Sequence, residues 1–172
     1  MTAETQQRRL AVVWRARAER LSQRPVAIEA GLDFRPVIIL GIGAERYGVE
    51  LQDVAEVLPP VCITPVPGAG VIFAGVINLH GEIRPVMDLR RLLGMDALPG
   101  GGRPRVIVLS KAGRQMGLQV DSVEQVRWIG FRDLQLDENS GRSRYITGST
   151  KDLIALINAE ALFAELQTGV AT

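Results

Sequence analysis

Apolar and polar positions change their spacing once, sharply, along this chain. Between residues 5 and 24, Leu10, Val13, Trp14, Ala18 and Leu21 recur three or four apart, which predicts an amphipathic helix with its arginines off the apolar stripe. Pro25 ends that pattern, and residues 25–35 read as a linker. From Pro36 onward the apolar runs are short, β-prone and punctuated by glycine and proline. The clearest unit is Gly75 to Leu89: Val76, Ile77 and Leu79 lead into Asn78-Leu79-His80-Gly81, and Ile83, Val86, Met87 and Leu89 lead out. Two extended runs around a short polar connection predict a β-hairpin. Pro85 has no N–H to donate, so its strand is expected at an edge or a bulge.

The β-prone region repeats itself. Val37-Ile38-Ile39-Leu40, Tyr47-Gly48-Val49-Glu50-Leu51, Val54 and Val57 align without a gap on Val106-Ile107-Val108-Leu109, Met116-Gly117-Leu118-Gln119-Val120, Val123 and Val126, an offset of 69 residues. Further on, Ile77 falls on Ile146, and after one inserted residue Ile83, Val86 and Met87 fall on Leu153, Leu156 and Ile157. Two copies at this spacing mean a duplicated supersecondary unit rather than a solenoid. About five short strands per copy suit a small closed barrel, which removes exposed edges. The expected architecture is mainly β: two five-stranded barrel lobes of residues 36–98 and 104–166 within a body of 36–172, behind an N-terminal segment of residues 1–35. Pro99-Gly100-Gly101-Gly102 is the expected join. Short helices are predicted from Leu89 to Gly94, and from Ala159 to Leu166 with Asn158 as N-cap.

Charge divides the chain in the same way. Its 172 residues carry a formal +1, but residues 1–24 hold six arginines against Glu4 and Glu19, a local +4 that leaves −3 for the rest. Nucleic-acid binding therefore has only the N-terminal segment to rest on, since phosphate neutralisation needs a basic face. That alternative and a helix laid on the body both stay open. One cysteine excludes an internal disulfide framework, and no apolar run approaches the roughly 20 residues that span a bilayer, so a cytosolic protein is expected.

Reactive chemistry is sparse. His80 is the only histidine and Cys62 the only cysteine, and Cys62, between Val61 and Ile63, reads as a small buried hydrophobe rather than a nucleophile. One His and one Cys cannot build a structural zinc site, and the carboxylates lack calcium-loop spacing. Gly41-Ile42-Gly43-Ala44-Glu45-Arg46 opens like a dinucleotide fingerprint, but Arg46 replaces the third glycine and no helical pattern follows. It reads instead as a hairpin turn, matched by Lys111-Ala112-Gly113-Arg114 in the second copy. Neither enzyme chemistry nor a cofactor is expected. What remains is surface: barrel edges and a groove between lobes, suited to holding other proteins.

These motifs carry a resemblance. Glu45-Arg46-Tyr47-Gly48-Val49, Val54, Glu56-Val57, Ile63-Thr64-Pro65-Val66-Pro67-Gly68, Gly75-Val76-Ile77-Asn78-Leu79, Pro85-Val86-Met87-Asp88-Leu89, Leu92-Leu93-Gly94 and Gly117-Leu118-Gln119-Val120-Asp121-Ser122-Val123 stand in family order. Residues 36–166 so resemble the CheW family, the coupling proteins of bacterial chemosensory arrays. The resemblance implies two five-stranded SH3-like barrels and a non-catalytic adaptor. Its implied partners are the regulatory domain of the chemotaxis histidine kinase and the cytoplasmic hairpin tip of a chemoreceptor, so that it is cytoplasmic and reaches the membrane only through receptor arrays. Positions matching family partner-binding surfaces are Val54, Glu56, Val57, Asn78, His80, Gly81 and Ile83, with Val120, Asp121 and Val123 as the second-lobe copy. Val57, Ile83, Val120 and Val123 read equally well as barrel interior. His80 is a departure, because the family usually has arginine between Leu79 and Gly81. Arg84 is a candidate to supply the missing charge.

Overall fold

The computed structural model describes residues 33–95, 105–135 and 143–169. The expected N-terminal helix and the join at Pro99 to Gly102 lie outside them. Among the described residues ten strands run in the order β1 (Phe34–Ile42), β2 (Glu45–Glu50), β3 (Val54–Leu58), β4 (Phe73–Leu79), β5 (Glu82–Asp88), β6 (Arg105–Lys111), β7 (Arg114–Val120), β8 (Ser122–Gly130), β9 (Ile146–Ser149) and β10 (Ile154–Ile157). A one-turn helix α1 (Leu89–Leu92) follows β5, and α2 (Ala159–Gly169) closes the chain.

The strands form two five-stranded sheets, ordered β8-β1-β2-β10-β9 and β3-β6-β7-β5-β4. These are one pattern written twice. If β6 to β10 are the second copy of β1 to β5, each sheet takes the first hairpin of one copy and the last three strands of the other. The expected division into consecutive lobes, 36–98 and 104–166, is corrected accordingly: the copies exchange their first hairpins. Both crossings run through short links. β2 reaches β3 through a single 3-10 turn, Leu51–Asp53, and only Asp121 separates β7 from β8. A link of one residue cannot reverse the chain into a hairpin, which takes two, so β7 runs on into β8 of the opposite sheet, and the three-residue turn between β2 and β3 leads to the opposite sheet in the same way.

The exchange explains why the repeated strands are apolar throughout rather than alternating. In β1, Val37 and Ile39 point into one barrel with Ile129, Ile154 and Leu156, while Ile38, Leu40 and Ile42 point the other way into a core shared by both sheets. β6 does the same: Val106 and Val108 join Leu58, Ile77, Leu79 and Val86 inside the second barrel, and Ile107 and Leu109 join the shared core. A strand buried on both faces reads as a continuous apolar run. The shared core also takes Leu89 and Leu92 of α1 and Leu162 and Phe163 of α2. It fills the space between the sheets, where a binding groove was expected.

Each barrel is closed across its open side. In the second, β3 and β4 are the outer strands, and Thr64 pairs with Val76 by reciprocal backbone hydrogen bonds of 2.9 and 2.8 Å. In the first, Gln135 and Ser149 make the equivalent pair at 2.9 and 2.8 Å. Both helices start at side-chain caps, α2 at the Asn158 that the sequence predicts and α1 at Asp88, which the sequence reading did not single out. The Asp88 carboxylate accepts from the N–H groups of Arg90 and Arg91, and Asn158 Oδ1 accepts from Ala161 N–H at 3.1 Å.

Candidate partner-binding surface

The β4–β5 hairpin turns through His80 and Gly81, whose φ angles are 52° and 91°. Two consecutive left-handed residues make the two-residue turn that matches the twist of a hairpin; glycine takes that conformation freely, and histidine is among the side chains that tolerate it. Asn78 Oδ1 accepts from Gly81 N–H at 2.8 Å and braces the turn. The predicted hairpin is therefore present, and its tip displays an imidazole. Pro85 sits where its missing N–H costs nothing: β5 pairs with β4 along its length, but its parallel ladder with β7 begins only at Val86. The expected edge exists, confined to the first half of the strand.

Across the barrel's open side, His80 Nε2 lies 2.9 Å from Glu56 Oε2 of β3. The Glu82 and Arg84 side chains, also on the hairpin, pair with each other. Beside these polar groups two aliphatic side chains stand in solvent, Val57 at 41% and Ile83 at 64% exposure. Glu56 and Val57 of β3 and Asn78, His80, Gly81 and Ile83 of the β4–β5 hairpin thus lie on the two elements that the Glu56–His80 contact joins. For Val57 and Ile83 the barrel-interior reading is corrected.

The second-copy positions behave otherwise. Val120 is 1% exposed and belongs to the shared core. Val123 and, in the first copy, Val54 are half-buried against the same core. Asp121 is engaged within the fold: its carboxylate accepts from Gly43 N–H at 2.6 Å and from Arg90 Nε at 3.1 Å. Burial pushes the Asp121 carboxyl up, but the Arg90 guanidinium and the Gly43 N–H outweigh it and hold it below the ordinary carboxylate range. Cys62, expected in the interior, is exposed.

The surface equivalent of the β3 flank on the first barrel lies elsewhere. Val126 and Leu153 are 48% and 82% exposed, and Arg127 Nη2 pairs with Asp152 Oδ2 at 2.9 Å. The signal for these residues was present in the repeat: Val57 falls on Val126 at the 69-residue offset, and Ile83 falls on Leu153 after the inserted residue. Among the described residues no three His, Cys, Asp or Glu side chains gather as a metal-binding group, and no helix is long and apolar enough to cross a membrane.

The described residues form two interwoven small barrels with aliphatic side chains and ion pairs on their surfaces, the architecture of a small-barrel domain rather than of a built reaction centre. The CheW-like domain model matches residues 36–167, and the chain belongs to that family. It is 34% identical over 101 residues to Chemotaxis protein CheW of Rhizobium meliloti, a match covering 59% of this chain and 65% of that one, just under two thirds of the relative's length. It is 30% identical over 143 residues to Probable chemotaxis protein CheW of Rhizobium etli, covering 80% and 92% of the two chains. Among solved structures it is similar to the scaffolding protein TtCheW of Thermoanaerobacter tengcongensis, with a TM-score of 0.65, 28% identity, and 73% and 89% of the chains covered.

Proposed function

We propose that this protein is a non-catalytic chemosensory adaptor that couples chemoreceptor signalling tips to a CheA-type histidine kinase. The observation that carries the reading is the family match over residues 36–167, borne on a fold similar to a solved CheW scaffold. The exposed Val57 on β3 and Ile83 on the β4–β5 hairpin, the two elements that the Glu56–His80 contact joins, support it, because aliphatic side chains left in water suit a docking surface better than a reaction centre. The kinase's regulatory domain and the receptor's cytoplasmic hairpin tip are the partners, and the adaptor reaches the membrane through them. The nucleic-acid alternative rests on residues 1–24 alone, and none of the relatives named above points to it.

The test is co-sedimentation of the purified chain with receptor-bearing membranes, with and without the cognate kinase. Enrichment in the pellet, increased by the kinase, is expected. No enrichment in either pellet sinks the proposal.

A further inference from the structure

We propose that this chain associates with copies of itself head to tail, the β3 and β4–β5 hairpin surface of one copy docking on the β8 and β9–β10 turn surface of the next. The inference goes beyond the adaptor reading and does not depend on it, since the occupant is neither the kinase nor the receptor.

The two surfaces share one plan. In each sheet an outer strand is joined to the turn of the last hairpin by a polar contact of 2.9 Å, Glu56 Oε2 to His80 Nε2 on β3 and Arg127 Nη2 to Asp152 Oδ2 on β8. Next to Glu56 and Arg127 each strand keeps an exposed valine directly opposite a buried isoleucine of the shared core, Val57 opposite Ile107 and Val126 opposite Ile38. Each hairpin adds an exposed aliphatic side chain, Ile83 in one and Leu153 in the other. Leu153 is held there at φ 58°, a left-handed conformation that strains a leucine, with its side chain in water.

The charges have diverged. On the second barrel Glu56 and Glu82 stand against Arg84, which leaves one negative charge in excess with His80 neutral. On the first, Glu56 is matched by Gln125, Leu58 by Arg127 and Gly81 by Lys151 at the offsets of the repeat. Glu124 is answered by Arg46 of β2 at 3.6 Å, so Arg127 and Lys151 against Asp152 leave one positive charge in excess. Arg127, Trp128, Thr150, Lys151 and Asp152 also line a cleft of about 260 Å³ between β8 and the turn, a recess that a side chain of an incoming surface can enter. An acidic surface with exposed aliphatic side chains fits there, and the chain carries one itself. Like on like would bring two surfaces of the same charge together; unlike on unlike pairs the charges and buries Val57 and Ile83 against Val126 and Leu153. A contact between unlike surfaces leaves one of each kind free at the ends, so association runs past the dimer.

The test is sedimentation of the full chain near pH 7 over a wide range of concentration, at low and at high salt. Wild type is expected to associate beyond the dimer, and about two- to fivefold more weakly at high salt. Val57→Asp with Ile83→Asp closes one surface, and Val126→Asp with Leu153→Asp closes the other; all four side chains face solvent, so thermal melts are expected to stay near wild type. Each closed variant should be monomeric alone, and an equimolar mixture of the two should form one-to-one dimers that grow no further. Lys151→Glu is expected to weaken association, and Glu56→Lys added in the same chain to restore it. Either closed variant associating by itself, a mixture that stays monomeric, or a charge swap that restores nothing overturns the inference. A wild-type chain that is monomeric at every concentration also overturns it and leaves the adaptor reading standing, because that reading is tested by co-sedimentation with the kinase and receptor-bearing membranes.

Discussion

The Asp121 carboxylate and the backbone N–H of Gly43, 78 residues apart in sequence, meet at 2.6 Å where the chain leaves one sheet for the other. Gly43 lies in the β1–β2 turn of the first sheet, and Asp121 directly follows β7 of the second. The other crossing has a counterpart: Asp53, in the link from β2 to β3, pairs with Lys111 at the end of β6, Nζ to Oδ1 at 3.3 Å. Each crossing link thus ties an aspartate to the first hairpin of the opposite copy.

Asp121→Asn removes a charged acceptor that two donors depend on. The expected loss is about 2 kcal/mol of unfolding free energy, read from urea denaturation near pH 7. Because the native carboxyl titrates below its ordinary value, its stabilisation is complete above the unfolded-chain value of about 4 and is withdrawn as pH falls through the lower native value. The gap between wild type and Asp121→Asn should therefore narrow in acid. A gap independent of pH would show that the carboxylate's charge contributes nothing.

Gly48 and Gly117 occupy matching places in the two barrels. A Cβ on Gly48 would lie 2.5 Å from Val37 Cγ1 and 2.7 Å from Leu156 Cδ2; on Gly117 it would lie 2.9 Å from Val106 Cγ1 and 3.0 Å from Val86 Cγ2. Both alanine variants should lose about 1–3 kcal/mol by overpacking, Gly48→Ala the more. Thermal melts check the order, and Val37→Ala added to Gly48→Ala should recover part of the loss.

Flank and core separate by which measurement moves. Val57→Asp and Ile83→Asp should weaken capture by the cognate kinase or receptor fragment with melting temperature nearly unchanged, since both side chains already face solvent. Val120→Ala should cost about 2 kcal/mol of stability through a core cavity. Val54, half-buried against the same core, should behave more like Val120 than like Val57.

Asn158→Ala should cost about 1 kcal/mol by removing the N-cap of α2, visible as a lower melting midpoint, whereas Asn158→Asp should keep most of it.

The strands were legible because their apolar runs are long, and the repeat because both copies meet the same surroundings. Val86 and Leu156 align and are both buried; Ile83 and Leu153 align and are both exposed. The exchange of hairpins was not legible from the alignment, because a copy pairing with itself and a copy pairing with its twin satisfy the same pattern. The one-residue link between β7 and β8 forbids self-pairing in the second copy, and the strand boundaries that set its length are what periodicity defines least well. The same limit displaced the second-copy site. Val120, Asp121 and Val123 were placed from a resemblance to a motif, but burial removes Val120 and Arg90 engages Asp121. The offset itself leads instead to Val126 and Leu153. Cys62 is exposed although its sequence neighbours are apolar, because in an irregular loop neighbours say little about which side chain turns inward.

A half-length polypeptide with a single copy of the motif would own a leading hairpin and three trailing strands that belong to different sheets. Alone it could finish neither. A second molecule exchanging its leading hairpin would supply the missing strands and receive its own in return, the arrangement that the two copies take within this one chain. Joining two such polypeptides end to end replaces an encounter between molecules by a tether, and frees each half to drift in charge while its twin keeps the shared interior intact.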